Sequence, residues 1–122
     1  MKEAVDPRSI LVVDDDPYLL SLIAEVLESD GYAVRVANNG AEALKIANAL
    51  EPRLVLLDVH MPVLDGWGFV KAMRKTGITF PIVIMTGSID AARWTSALRA
   101  DDYLGKPFQM DELLAVVERF CS

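Results

Sequence analysis

The stretch Ile10-Leu11-Val12-Val13-Asp14-Asp15-Asp16-Pro17 decides the fold. Its first four residues are all apolar and mostly β-branched, too short a run for a helix and without a polar side. That reads as a strand buried on both faces. Asp16-Pro17 then sets a capping carboxylate before a proline at the first helical position. Leu19, Leu22, Ile23, Val26 and Leu27 recur at helical spacing, and Gly31 ends the helix. A doubly buried strand running straight into a helix belongs to a parallel sheet, whose crossover helices cover its faces.

The same unit repeats outward along the chain. Tyr32 to Ala37 reads as a second strand, and Asn39 with Glu42 resembles a capping box opening a helix with Ala43, Leu44, Ile46 and Ala47. Pro52 breaks that helix before a third strand, Leu54 to Leu57. Pro62, Asp65 and Gly66 mark a loop, and Phe69, Val70 and Met73 a third helix that ends near Thr76-Gly77. Pro81 to Met85 is the fourth strand, Asp90 caps a short helix with Trp94, Ala97 and Leu98, and Tyr103-Leu104 is a brief fifth strand. Met110, Leu113, Leu114, Val117 and Phe120 form the apolar face of a last helix. Five strands alternating with five helices predict an α/β, doubly wound sandwich. No repeat, low-complexity segment or linker interrupts the pattern, so one domain over residues 1–122 is expected, its core at about 9–121.

Composition narrows the function classes. A chain of 122 residues holds one core and needs no metal or disulfide staple, and an apolar share of 52% makes it a folding sequence. Lys plus Arg is 12 against 18 for Asp plus Glu, a formal charge of −6. Without a basic run, such a chain is a poor match to nucleic acid or to anionic membrane surfaces. Cys121 is the lone cysteine, so it forms no internal disulfide and no CxxC site, and is expected to be inert. Met1 to Ser9 lacks the apolar core of a secretory signal, and no apolar run approaches bilayer length.

In a doubly wound sheet, ligands bind beyond the carboxyl ends of the strands. Asp14, Asp15 and Asp16 follow the first strand, Asp58 the third, Thr86 the fourth, and Lys106-Pro107 the fifth. Crowded carboxylates repel one another, and a hard cation such as Mg²⁺ relieves this through oxygen ligands. Acids with one hydroxyl and one lysine point to Mg²⁺-assisted phosphoryl chemistry. An aspartate can attack phosphorus, the metal neutralises charge on the transferring group, and the ammonium and hydroxyl donate to phosphate oxygens. Plainer readings stand beside this one: Asp14 to Asp16 as a solvated helix start, with Asp16 the cap, and Asp58 as an ordinary loop acid.

The segments Val12-Val13-Asp14-Asp15-Asp16-Pro17, Leu57-Asp58-Val59-His60-Met61-Pro62, Met85-Thr86-Gly87 and Asp102-Tyr103-Leu104-Gly105-Lys106-Pro107-Phe108 resemble the receiver domain of two-component response regulators. The likeness runs from roughly Ser9 to Cys121 and implies a CheY-like, flavodoxin-like (βα)5 fold with a five-stranded parallel sheet in the order 2-1-3-4-5. It implies that Asp58 is the phosphoacceptor, taking its phosphoryl group from a sensor histidine kinase or a phosphotransfer protein. It implies that Asp15, Asp58 and the backbone carbonyl of His60 bind Mg²⁺ or Mn²⁺ directly, with Asp14 acting through water. Thr86 resembles the switch hydroxyl, Tyr103 the aromatic that changes rotamer with it, and Lys106 the phosphate-pairing lysine, its bond to Pro107 cis. His60 and Ser88 occupy positions that tune the lifetime of the phosphoryl group. The implied protein is cytoplasmic and gains and loses its own phosphoryl group without turning over a substrate. The implied output passes to an effector protein or to a fused output domain outside this chain, without direct contact to nucleic acid or membrane. A phosphorylation-dependent dimer is among the forms the family implies.

The chain departs from the family pattern in places. Gly87 stands where alanine is common, Gly105 where a bulkier residue is common, and Arg99 where a glycine often ends the fourth helix. That helix is therefore expected to be short or irregular. His60 also reads as a variable residue at the pocket rim, and Tyr103 as a half-buried strand aromatic. Trp94 reads equally as core or partner surface, and Trp67 as packing or capping the third helix. Other function classes fit less well. A pseudo-receiver would have lost part of the set Asp14, Asp15, Asp58, Thr86 and Lys106. An aspartyl-phosphate phosphatase of the haloacid dehalogenase type would place a second Asp where His60 stands. A flavodoxin-like FMN carrier would meet its phosphate with Asp14 to Asp16.

Overall fold

The computed structural model describes residues 8–58, 66–75, 80–87, 93, 95, 96 and 99–121. Five strands, β1 (Ser9–Val13), β2 (Ala33–Ala37), β3 (Leu54–Asp58), β4 (Ile82–Thr86) and β5 (Asp102–Gly105), form one parallel sheet in the order β2-β1-β3-β4-β5. Among the described residues, four helices connect or follow them: α1 (Pro17–Ser29), α2 (Gly40–Leu50), α3 (Gly66–Lys75) and α4 (Met110–Cys121). This is the expected strand order. The short helix expected from Asp90 falls largely on residues outside the described set, including Trp94, Ala97 and Leu98, while Arg93, Thr95 and Ser96 are helical.

The sheet sorts its residues by parity, as a period of two requires. Ile10 and Val12 join Leu54, Leu56, Val83, Met85 and Leu104 beneath Ile23 and Leu27 of α1 and Leu113 and Val117 of α4. Leu11 and Val13 join Val55, Leu57, Ile82 and Ile84 beneath Ala43 and Ala47 of α2 and Phe69, Val70 and Met73 of α3. A one-residue slip would exchange the two layers, so register is strongly specified. Each fully buried leucine in these layers contributes roughly 1.5–3 kcal/mol.

Helix ends explain the turns. Asp16 caps α1 by accepting from the Tyr18 and Leu19 amides, with Pro17 at the first position. Asn39 caps α2 by accepting from the Glu42 amide at 2.8 Å. The α1 end is a paired turn: Gly31 donates to the Glu28 carbonyl at 3.0 Å and Tyr32 to Leu27 at 3.1 Å. Gly31 adopts φ +91°, open to glycine and strained for other residues. The same pair of bonds closes the turn before β5, where Arg99 donates to Ser96 at 3.2 Å and Ala100 to Thr95 at 2.9 Å. Here the left-handed residue is Arg99, at φ +56°. A glycine is thus not needed to end this turn, although its absence leaves strain.

Boundaries differ from expectation by a residue or two. Asp58 and Thr86 are the last residues of β3 and β4 rather than the first residues beyond them. Tyr32 precedes β2 and is buried instead of pairing as its first residue.

Candidate functional site

The register of the central strands sets the site. Val13 lies opposite Leu57, Asp58 opposite Met85, and Thr86 opposite Gly105. The residues after β1 and at the ends of β3 and β4 are therefore brought to one rim. The Asp14 amide extends the ladder by donating to the Ala37 carbonyl at 3.1 Å, which holds the acidic turn against the sheet.

Asp14 is fully buried and Asp58 nearly so, at 5% exposure, while Asp15 is exposed. Each of the three offers a carboxylate oxygen within 4.8 Å of the others. Lys106 reaches in from the loop after β5. Its ammonium donates to Asp14 Oδ2 at 2.6 Å and stands 3.5 Å from Asp58 Oδ2. Burial works against the charge of Lys106, but the bond to Asp14 and the charges of Asp58 and Asp14 prevail and raise its pKa above the ordinary value. Asp14 Oδ1 also accepts from the Asp16 amide at 3.0 Å. A buried carboxylate is stable only with such partners.

Thr86 is buried at the same rim, and its carbonyl accepts from the Lys106 amide at 2.8 Å. The Lys106–Pro107 peptide is cis. Gly87 is exposed, and a methyl there would lie 3.9 Å from Lys106 Cβ, an ordinary contact. The small residue is therefore not forced by crowding. Gly105 pairs with Thr86, so the glycine does not unpair the last strand.

The donor set suits a hard cation. Three carboxylates at one rim, with Asp15 open to solvent, provide oxygen ligands of the kind Mg²⁺ takes. The structure thus gathers Asp14, Asp15, Asp58, Thr86 and Lys106 at one place. Tyr103 is exposed on β5. His60 and Ser88 lie outside the described residues, as does the side chain of Trp67. One contact was not foreseen: the Lys106 ammonium is bound to Asp14. The available signal was physical, since an acid buried behind a strand needs a cation or donor.

No helix of the described residues is long and apolar enough to cross a membrane. Residues 10–118 match the model of the response regulator receiver domain. Response regulator MprA of Mycolicibacterium vanbaalenii is 41% identical over 111 residues, which cover 89% of this chain and 48% of that protein. The chain thus spans about half the length of the curated relatives it matches. Among solved structures, chemotaxis protein CheY4 of Vibrio cholerae superposes with a TM-score of 0.85 at 32% identity, covering 96% of this chain and 99% of that one. The Francisella response regulator 1452 receiver domain gives a TM-score of 0.85 at 34% identity, covering 93% of this chain and 95% of that one. A match over nearly the whole chain, on the fold and strand order described above, places it by family: the protein is a receiver domain of the response regulators of two-component systems.

Proposed function

We propose that the chain, as one receiver domain, is a phosphorylatable switch whose acceptor is Asp58. The observation that carries this reading is the convergence of the Asp14, Asp15 and Asp58 carboxylates within 4.8 Å of one another, with the Lys106 ammonium beside Asp14 and Asp58. An Asp58 oxygen attacks the phosphorus of a kinase or phosphotransfer phosphohistidine. The new O–P bond replaces the P–N bond, and the leaving imidazole takes up a proton. Asp15 and Asp58, with the His60 carbonyl, are the residues that would hold Mg²⁺ or Mn²⁺, and Asp14 would act through water. Bound there, the metal supplies charge neutralisation at the transferring group.

Lys106 then exchanges its carboxylate partners for a phosphate oxygen, and Thr86 donates its hydroxyl to another. The phosphoryl group adds charge at the rim, and the surface around β5 and α4, including Tyr103, shifts its population. His60 and Ser88 tune how long the group survives. The readout goes to an effector protein or to an output domain joined to this one, and dimerisation is one form that readout takes.

The test is intact mass after incubation with acetyl phosphate, with and without Mg²⁺. The wild type gains one phosphoryl group only with Mg²⁺, and Asp58→Asn gains none. Should acetyl phosphate fail as donor, beryllofluoride binding is the second measurement, and its failure too would leave an interaction module without the switch.

A further inference from the structure

We propose that the open edge of β2, with the trough between it and α1, is a docking site for an extended segment of a partner protein with the pattern apolar–acidic–apolar. The strand β2 is the last on its side of the sheet. The Ala33 amide donates to the Arg8 carbonyl at 2.9 Å, and the Ala37 carbonyl accepts from the Asp14 amide at 3.1 Å. Alternate residues of a parallel strand bond the same neighbour, so Ala33, Arg35 and Ala37 turn their main-chain groups to β1. Val34 and Val36 turn theirs outward, where they meet no partner among the described residues. Such an edge is a template for one more strand.

The side chains along the edge select the strand that fits. Val34 packs on the layer under α1, and the period of two puts Val36 on the same side. There Val36 lines a trough of about 330 Å³ with Pro17, Leu20 and Ala24 of α1. Val36 stays 40% exposed, so an apolar wall of this trough faces water. Arg35 lies on the other side of the strand, the side on which Ala37 packs beneath α2. It is exposed, and its guanidinium has no ion pair or hydrogen bond among the described residues. Arg8, Arg53 and Arg119 differ, since each donates to a neighbour.

Residues opposite one another in paired strands share a face. In an added strand, the residues beside Val34 and Val36 therefore meet the apolar trough, and the residue between them meets Arg35. An acid at that middle position pairs with the cation, whereas an acid in the trough would meet Glu42. A second copy of this chain fits poorly. Ala33-Val34-Arg35-Val36-Ala37 reads the same in both directions, so antiparallel pairing about its centre sets Arg35 against Arg35. A charge on an edge strand guards against such self-pairing. It does not account for the apolar trough beside it. Nothing in this proposal rests on the chemistry of Asp58.

The test uses the 122-residue chain and the capped pentapeptide threonine–valine–glutamate–valine–threonine, followed by amide shifts and amide hydrogen exchange. At about ten times its Kd, the peptide slows exchange at the Val34 and Val36 amides about tenfold. The Ala33, Arg35 and Ala37 amides, already turned to β1, change less. Lysine in place of the glutamate weakens binding about threefold, and Arg35→Glu reverses that preference. Val36→Pro deletes an outward donor and no bond to β1, and weakens binding about tenfold. Arg35→Glu keeps the test decisive if Val36→Pro fails to fold. Shifts confined to other faces, no shift up to about 5 mM peptide, shifts without protection of Val34 and Val36, or equal binding of the lysine peptide would each overturn the proposal. Protection of these two amides that grows with the concentration of the protein alone would also overturn it, by assigning the edge to a second copy.

Discussion

At the carboxyl ends of the strands, Asp14, Asp15 and Asp58 crowd together, and one ammonium stands beside Asp14 and Asp58. At the amino ends, arginines donate to main-chain carbonyls where helices stop. Arg8 donates to the Gly31 carbonyl at 2.9 Å and to Asp30 at 2.7 Å, and its guanidinium lies 4.2 Å from the centre of the Tyr32 ring. Arg53 donates to the Phe120 carbonyl at 2.9 Å, and Arg119 pairs with Asp102 where β5 begins. The arginine rim supplies donors to carbonyls at and just beyond helix ends, where the helix itself leaves carbonyls open. The carboxylate rim does the reverse, gathering like charges. One rim holds the structure, and the other is the one the proposed function uses. Substitutions at the two rims should therefore move stability in opposite directions.

The largest effect is expected at the arginine rim. Arg8→Ala removes two hydrogen bonds to the Asp30 and Gly31 carbonyls just after α1 and the contact over Tyr32. With exposure discounted, this costs about 1–2 kcal/mol, or roughly 4–10 °C in Tm. Phosphoryl uptake from acetyl phosphate should be unchanged. Thermal unfolding beside intact mass checks both halves, and unaltered Tm would break the contrast.

A second pair of substitutions sharpens it, because the same turn is built twice. Gly31→Ala places a methyl at φ +91° and 3.2 Å from Arg8 Nη2, so it costs about 1–2 kcal/mol. Arg99→Gly relieves the matching position and gains about 0.5 kcal/mol, the gain being reduced by the freer unfolded chain. Urea unfolding of the two variants should give midpoints shifted in opposite directions. A loss at both would mean that the Arg99 side chain supports the fold.

The carboxylate rim should answer with the opposite sign. Asp15→Asn removes one of three converging charges and is expected to stabilise by about 0.5–1 kcal/mol while phosphoryl uptake falls steeply. Tm that drops instead would show Asp15 to be structural.

The sequence showed one rim far better than the other, for a physical reason. Apolar strands carry a local period, and Asp14, Asp58, Thr86 and Lys106 stand directly at their ends, so the switch-point rule gathers them without coordinates. Arg8, Arg53 and Arg74 have no such signature. Their long side chains reach carbonyls 22, 67 and 25 residues away, and any exposed arginine has many carbonyls in range. The Lys106–Asp14 bond spans 92 residues and follows only once the register aligns β1 with the loop after β5. The Arg99 turn was hidden for another reason: glycine is the usual sign of such a turn, and the hydrogen bonds form without it.

The smallest expected effect is in pH, and it separates the rims by order of onset. Burial pushes the Cys121 thiol above its ordinary value of 9.0, with Arg53 and Arg8 pulling weakly the other way. Burial likewise raises Tyr32 above 10.0, opposed by Arg8 and helped by the charges of Cys121, Asp30 and Glu118. Lys106 stands above 10.5, because Asp14 and Asp58 outweigh its burial. All three groups hold a proton more tightly in the folded chain than in the unfolded one. Stability therefore falls as pH rises past each ordinary value. The thiol acts first, near pH 9, where burying an anion begins to oppose folding. The Lys106 pair acts last, and its contribution stays whole below the ordinary lysine value of 10.5. Urea midpoints between about pH 7 and about pH 11 should hold level and then decline, and Cys121→Ala should delay the decline. A decline that starts at the same pH in Cys121→Ala would assign the first step to Tyr32 and leave the thiol silent. A midpoint that rises with pH would contradict all three shifts, since it requires the unfolded chain to hold the extra protons.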